Sequence, residues 1–213
     1  MDIKVYHVKS KVDWVEVVNA CRTTVGKPPL NDVKEKWKWR TQLLKSEHSP
    51  IRKIVLGWKW ENLPSWISVH FVRHKFGIEH FVSTQRDDRT GKDRSERSQT
   101  DPVIHECEAN AQAIINMSRK RLCIGQAHHE TTFAWQLFLD HVVRKECPEL
   151  YTVCVPECVY RGFCPEFNSK CNGTARPVWT ELRSLYINPH GSSIADHTEL
   201  LGEWTEAYAP SGE

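Results

Sequence analysis

Between Ile54 and Lys75 the chain packs Val, Ile, Trp and Phe into two runs, 54–60 and 65–75, and the eighteen residues at 84–101 that follow are almost wholly polar, TQRDDRTGKDRSERSQTD. Such residues favour a pleated, half-buried surface. In the second run Ile67, Val69 and Phe71 alternate with Ser68 and His70, the period of a strand with one covered face. Arg73, His74 and Lys75 then fall where that strand runs out, and 84–101 reads as a long exposed loop.

The flanking segments supply helices to cover a sheet. Ile3, Val5 and His7 alternate as one face of a first strand, and Asp13 is placed to cap a helix carrying Trp14, Val17 and Val18, which Gly26, Pro28 and Pro29 terminate. Val33, Trp37 and Leu44 have helical spacing ahead of Ser49-Pro50. From Ile104 to Cys123, the residues Ile104, Ala111, Ile114, Ile115, Ser118 and Leu122 follow a helical period, and another helix is expected over Glu130 to Lys145. The expected class is therefore α/β of the α+β type, an antiparallel sheet flanked by helices. Residues 1–150 form the main unit, and 151–213 a cysteine-rich extension packed on it; no internal repeat is present.

Charge narrows the partners. Lys and Arg number 29 against 27 Asp and Glu, a net charge of +2, so no global field draws in nucleic acid or an anionic membrane and an anion must be held locally. The start, MDIKVYHVKS, lacks the apolar core of a signal peptide, and the longest apolar stretch, near Phe133 to Leu139, is too short for a bilayer. A soluble cytoplasmic protein is expected. Its eight cysteines then read as thiols rather than disulfides, and the sequons at Asn116 and Asn172 as silent.

The segment RHKFGIEHFVSTQR, Arg73 to Arg86, gathers cationic and titratable groups at a strand end. Arginine offers a rigid fork, lysine a point charge and histidine a donor set by its tautomer, a combination suited to phosphate. A solvated strand end pairing with Asp87 and Asp88 is the plainer reading.

Arg73-His74-Lys75, seven residues and then Ser83 resembles the Arg-His-Arg, seven residues, Ser pattern of the flavin-dependent thymidylate synthases. Asn110-Ala111-Gln112, followed by Asn116 and by Arg121 eleven positions after Asn110, is similar to that family's Asn-Ala-Arg helix. Ala20-Cys21-Arg22-Thr23 and His48-Ser49-Pro50 echo two upstream motifs, so the resemblance spans about residues 3–145. Helical geometry agrees in one respect. At ~100° per residue, Asn110 and Arg121 share one face, while Gln112 and Asn116 share another. A helix whose polar groups merely face water is the alternative.

The resemblance implies that Arg73, His74, Lys75, Asn110 and Asn116 contact FAD, the first three also reaching the nucleotide. It implies that Ser83, Arg86 and either Arg94 or Arg97 hold dUMP, and that Arg121 sits against the uracil as C5 becomes nucleophilic. Arg121 and Ser83 are thus the candidate catalytic pair, Ser83 as a binding hydroxyl rather than a nucleophile. The implied reaction methylates dUMP with methylenetetrahydrofolate, NADPH reducing the flavin, in a homotetramer with shared sites. Ile78, His80 and Phe81 replace the family's usual residues between Lys75 and Ser83, Gln112 replaces an arginine, and Arg52 and Lys53 stand where a Glu-His pair is usual. These departures leave open a flavin enzyme acting on another pyrimidine nucleotide, or a non-catalytic relative. A nucleic-acid or nucleotide-binding module built on Arg86 to Arg97 and the nine tryptophans competes, although Asp87, Asp88, Asp93 and Glu96 neutralise most of that loop.

Cys154, Cys158, Cys164 and Cys171 suffice in number for tetrahedral zinc, but their spacings lack a two-residue knuckle, and ordinary thiols are the favoured reading. No metal is assigned. His128 and His129 point apart on a helix and read as a surface pair.

Overall fold

The computed structural model describes residues 2–34, 36–167, 171–188 and 193–206. Four strands, β1 (Lys4–Lys11), β2 (Val55–Pro64), β3 (Ile78–Val82) and β4 (Pro102–Asn110), make one antiparallel sheet in the order β1-β2-β4-β3. The helices are α1 (Trp14–Thr24), α2 (Trp37–Lys45), α3 (Ser65–Phe71), α4 (Asp87–Thr90), α5 (Ala111–Arg121) and α6 (His129–Phe138). The last continues through a π-turn, Leu139–Val143, into α7 (Arg144–Glu146). Four more follow: α8 (Pro148–Tyr151), α9 (Glu157–Arg161), α10 (Pro177–Ile187) and α11 (Ile194–Glu206). The α+β class with an antiparallel sheet and flanking helices is as the sequence predicts.

Period-two patterning sets the sheet's two faces. Leu56, Trp58 and Trp60 on β2 and Val103, His105, Cys107 and Ala109 on β4 are buried. The opposite face carries Lys59 paired with Glu61 at 2.7 Å and Lys9 paired with Glu108. The inward indoles form the centre of the core. Trp58 stacks on Phe138 at 3.9 Å and Trp60 on Phe71 at 4.6 Å, so α6 and α3 are both fastened to β2. Trp60 Nε1 donates to Ala134 O at 3.1 Å and Trp135 Nε1 to Ser118 Oγ at 3.0 Å, which ties α6 to the sheet and to α5. The core continues without interruption to Val178, Leu182, Leu201 and Trp204 of α10 and α11.

Two elements differ from the sequence reading. Residues 65–71 form a helix, not a strand: Ile67 and Phe71, four apart, are buried together, while Val69 between them is 51% exposed. The same apolar spacing serves both periods, and context decides. Pro64 ends β2, and the returning polar segment offers Asp101 O and Gln99 O to the first free amides of the helix, Ser65 N and Trp66 N, at 3.0 and 3.1 Å. The second difference is the helix expected from Ile104, because residues 102–110 are strand β4 and Ile104 faces outward. The changeover is fixed at Asn110, whose Oδ1 accepts from Ala113 N at 3.0 Å as the N-cap of α5.

Asp13 caps α1, accepting from Val15 N at 2.8 Å and Glu16 N at 3.2 Å. Val33 precedes α2 rather than joining it, and His7 on β1 is exposed. Residues 84–101 are largely exposed, broken only by α4 and a short 3-10 turn at Arg94–Glu96. Among the described residues, no helix is long and apolar enough to cross a membrane.

Trp60 joins three elements at once, so Trp60→Ala should lower the unfolding free energy by about 3–5 kcal/mol in urea titration. A loss below about 1 kcal/mol would contradict the central role given to this indole.

Candidate functional site

The Arg73-His74-Lys75 motif is held in the short connection between α3 and β3. His74 N donates to Phe71 O at 3.0 Å, continuing the helix end, and Gly77 turns the chain with φ +74°. A side chain at Gly77 would stand 2.5 Å from Asn110 Nδ2, and Asn110 N donates to Gly77 O at 2.9 Å. The connection therefore lies directly on the first turn of α5. Glycine is required twice here, for its conformation and for the close approach.

Arg121, at the far end of α5, reaches back to the same connection. Its Nε donates to His74 Nε2 at 3.0 Å and a terminal nitrogen donates to His70 O at 2.7 Å. Burial, then the Arg121 charge and the neighbouring His80 ring, push the His74 imidazole down to about 4, so it is neutral at pH 7. Because Nε2 accepts, the ring proton sits on Nδ1. Burial and the neighbouring Arg73 lower Arg121 to about 10, which leaves it fully charged. The result is a fixed guanidinium beside a neutral imidazole, with the exposed Arg73 and Lys75 next to them.

A buried relay supports His74 from behind. His80 Nε2 lies 2.8 Å from His74 O, His80 Nδ1 lies 3.0 Å from His105 Nε2, and His105 Nδ1 lies 3.1 Å from Ser68 Oγ. A carbonyl only accepts, so His80 Nε2–H donates to His74 O; in the all-neutral arrangement His105 Nε2–H then donates to His80 Nδ1 and the Ser68 hydroxyl to His105 Nδ1. Burial lowers His105 to about 3, consistent with this neutral chain. Cys107 Sγ stands 3.3 Å from His80 Nδ1, and burial raises its thiol far above the usual range. His80, His105 and Cys107 hold ligand atoms within 4.8 Å of one another, and the relay satisfies them without an ion. Sequence reasoning noted His80 only as a departure from the family pattern and passed over His105. Their signal is the alternation of residues 103–109, which faces His105 and Cys107 inward toward His80 on the neighbouring strand.

The remaining predicted residues lie elsewhere. Asn110 Oδ1 is occupied as the helix cap. Gln112 and Asn116 lie 3.5 Å apart with Arg119 and Glu47, on another face of α5 from Arg121. Ser83 Oγ accepts from Ile104 N at 3.0 Å at the end of β3, three residues beyond His80, roughly 10 Å along a strand. Arg86 is forked onto Asp88 with two contacts of 2.9 Å. Arg97 is largely covered, donating to Thr90 Oγ1 and lying 3.9 Å from Asp101, whereas Arg94 is exposed. One chain thus brings Arg73, His74, Lys75 and Arg121 together, and sets Asn116, Ser83, Arg86, Arg94 and Arg97 apart from them. Around the motif Phe76, 93% exposed, and Phe81, Val82 and Ile104 leave apolar surface uncovered beside edge strand β3.

Neither a protein-family model nor a curated protein sequence matches the chain. Solved structures do. The UMP/dUMP methylase PolB from Streptomyces cacaoi, bound to 5-Br dUMP, superposes with a TM-score of 0.56 at 15% identity, over 76% of this chain and 96% of that one. The same methylase bound to 5-Br UMP gives 0.53 at 13% identity, over 71% and 93%. At this identity the likeness establishes a shared fold.

Depressed imidazoles make stability depend on pH with a definite sign. An unfolded imidazole takes its proton near 6.5, whereas folded His74 resists until about 4 and His105 until about 3. Acid therefore protonates the unfolded chain first, and stability present in full above 6.5 is lost as pH falls toward 4. The urea midpoint should drop between pH 7 and pH 5, with the His74 and His105 ring signals in NMR still those of neutral imidazole at pH 5. Either ring titrating near 6.5 would refute the relay.

Proposed function

We propose that the protein is a cytoplasmic flavin enzyme that methylates C5 of a pyrimidine nucleotide, dUMP or UMP, drawing the carbon from methylenetetrahydrofolate and reducing equivalents from NADPH. One observation carries this reading. Arg121 and the Arg73-His74-Lys75 motif, singled out in separate parts of the sequence, meet through a 3.0 Å hydrogen bond between residues 47 positions apart. The shared fold with a UMP/dUMP methylase supports it.

The donor set fits FAD in part. Arg73, Lys75 and the Nδ1–H of His74 suit an anionic, planar ligand on an open surface, and the exposed Phe76 offers a stacking face. The second wall has to come from another copy of the chain, whose approach the uncovered apolar residues beside β3 would favour. A homotetramer with shared sites meets that need and would return Asn116, Ser83 and Arg94 to the pocket from neighbouring subunits. FAD, when bound, supplies the redox chemistry.

The chain's own groups position and polarise. Arg121 is clamped by two acceptors, so its remaining N–H groups keep one direction and stabilise negative charge on a uracil ring without reorganising. Neutral His74 donates a hydrogen bond without adding a second full charge beside Arg121. Ser83 accepts from a backbone amide and so has its own hydroxyl proton left for a nucleotide. Of the two phosphate candidates Arg94 is open to solvent, while Arg97 is tied into the fold.

The decisive experiment combines an absorption spectrum of protein titrated with FAD and a product assay offering dUMP, UMP and dCMP with methylenetetrahydrofolate and NADPH. The expected outcome is a bound-flavin spectrum, a C5-methylated nucleotide, and a fall of at least about 100-fold in turnover for Arg121→Ala with the fold retained. No flavin binding and no product from any of the three would refute the enzyme reading and favour a non-catalytic nucleotide-binding relative.

A further inference from the structure

Three cysteines of the C-terminal segment come up against a fourth that the sequence spacing did not group with them. Cys123, just after α5, and Cys158, Cys164 and Cys171 line one small cavity of about 10 Å³ beside Trp204, together with Glu157 and Glu166, room for roughly a single atom-sized guest. Cys154 is not among them, being buried beside Ser118 and Arg119. The sulfurs are surrounded by N–H groups. Gly173 N donates to Cys171 Sγ at 3.3 Å, and the amides of Gly125 and Gln126 are turned onto Cys123. The buried indole Nε1 of Trp179 is aimed at Cys158. Cys123-Ile124-Gly125 and Cys171-Asn172-Gly173 repeat a Cys-x-Gly pattern. In the second, the left-handed φ of +48° at Asn172 brings the next amide round to the sulfur.

Such donors stabilise a thiolate far more than a thiol. Burial opposes them, raising Cys123, to which the Glu166 carboxylate in the same wall adds, and pushing Cys158 up to about 12. A cation in the cavity resolves that conflict.

We propose that Cys123, Cys158, Cys164 and Cys171 bind one zinc ion as a four-thiolate structural site, fastening α9 and the approach to α10 to the end of α5. Binding releases four thiol protons to solvent and leaves a site charge of −2, near which the Arg176 guanidinium donates to Cys171 O at 3.3 Å. The four sulfurs have still to be drawn together, since among the described residues only His80, His105 and Cys107 place three ligand atoms within 4.8 Å. Zn–S bonds of ~2.3 Å would do so by moving Cys164 and Cys171, which lie on non-helical backbone. Four sulfurs with tetrahedral closure select zinc over harder cations.

Full-length protein purified without chelator from zinc- and iron-containing medium should carry about one zinc per chain by mass spectrometry. X-ray absorption should show four sulfur neighbours at ~2.3 Å. Cys158→Ser and Cys171→Ser should lose the metal and Cys154→Ser keep it. Where a variant fails to fold, the absorption spectrum of the wild-type protein decides. Metal-free protein, iron in place of zinc, a nitrogen-containing shell pointing to His80 and His105, or loss of zinc from Cys154→Ser would each overturn the proposal.

Discussion

The indole of Trp60 links the folding core to the candidate site. Its flat stack on Phe71 fixes α3 against β2, and its edge contact with the His105 ring, centroids 5.6 Å apart, sets the inner end of the relay that reaches His74. The position of His74 therefore follows from core packing through Phe71, from which its turn departs, and through His105 and His80, which hold its carbonyl. A site residue anchored from both sides is held by burial in the core. Preorganisation of this kind gives a guanidinium or imidazole a fixed direction before any ligand arrives.

How much of this could be read from the sequence depends on the range of the interaction. The α+β class, the cap at Asp13 and the polar segment 84–101 are local signals, and each is found where expected. Ile67 and Phe71 fit a strand or a helix equally, and only the carbonyls of Gln99 and Asp101, more than thirty residues away, decide between them. Ile104 continues the helical period of α5 by accident, whereas the Asn110-Ala111-Gln112 motif, which the family resemblance reads as a helix start, marks where the helix begins. Arg121 and His74 were each legible from motif spacing. Their direct hydrogen bond was not, nor was the relay behind them, because it is built across β3 and β4, whose pairing the sequence does not specify.

Electrostatics explain why the relay is neutral. Burial, and then repulsion from Arg73, already lower Arg121 to about 10. An imidazolium at His74 would add a third cation to a partly buried space, and one at His105 would be isolated among indoles and Phe71. With both rings neutral, Arg121 keeps its charge against His74, while Arg73 and Lys75 lie on the exposed rim.

Helix α5 shows why one chain does not gather every predicted residue. Eleven positions bring Asn110 and Arg121 to one side, against Gly77 and His74. Gln112, Asn116 and Arg119 occupy another side, fastened to Glu47. Within one chain the two polar sides of the helix therefore address different surroundings, Asn116 beside Gln112 and Arg119 and Arg121 against His74. Glu47 neutralises Arg119 beside Asn116, whereas Phe76 stands uncovered next to Arg73, so the motif's side of the molecule is the one left open and cationic.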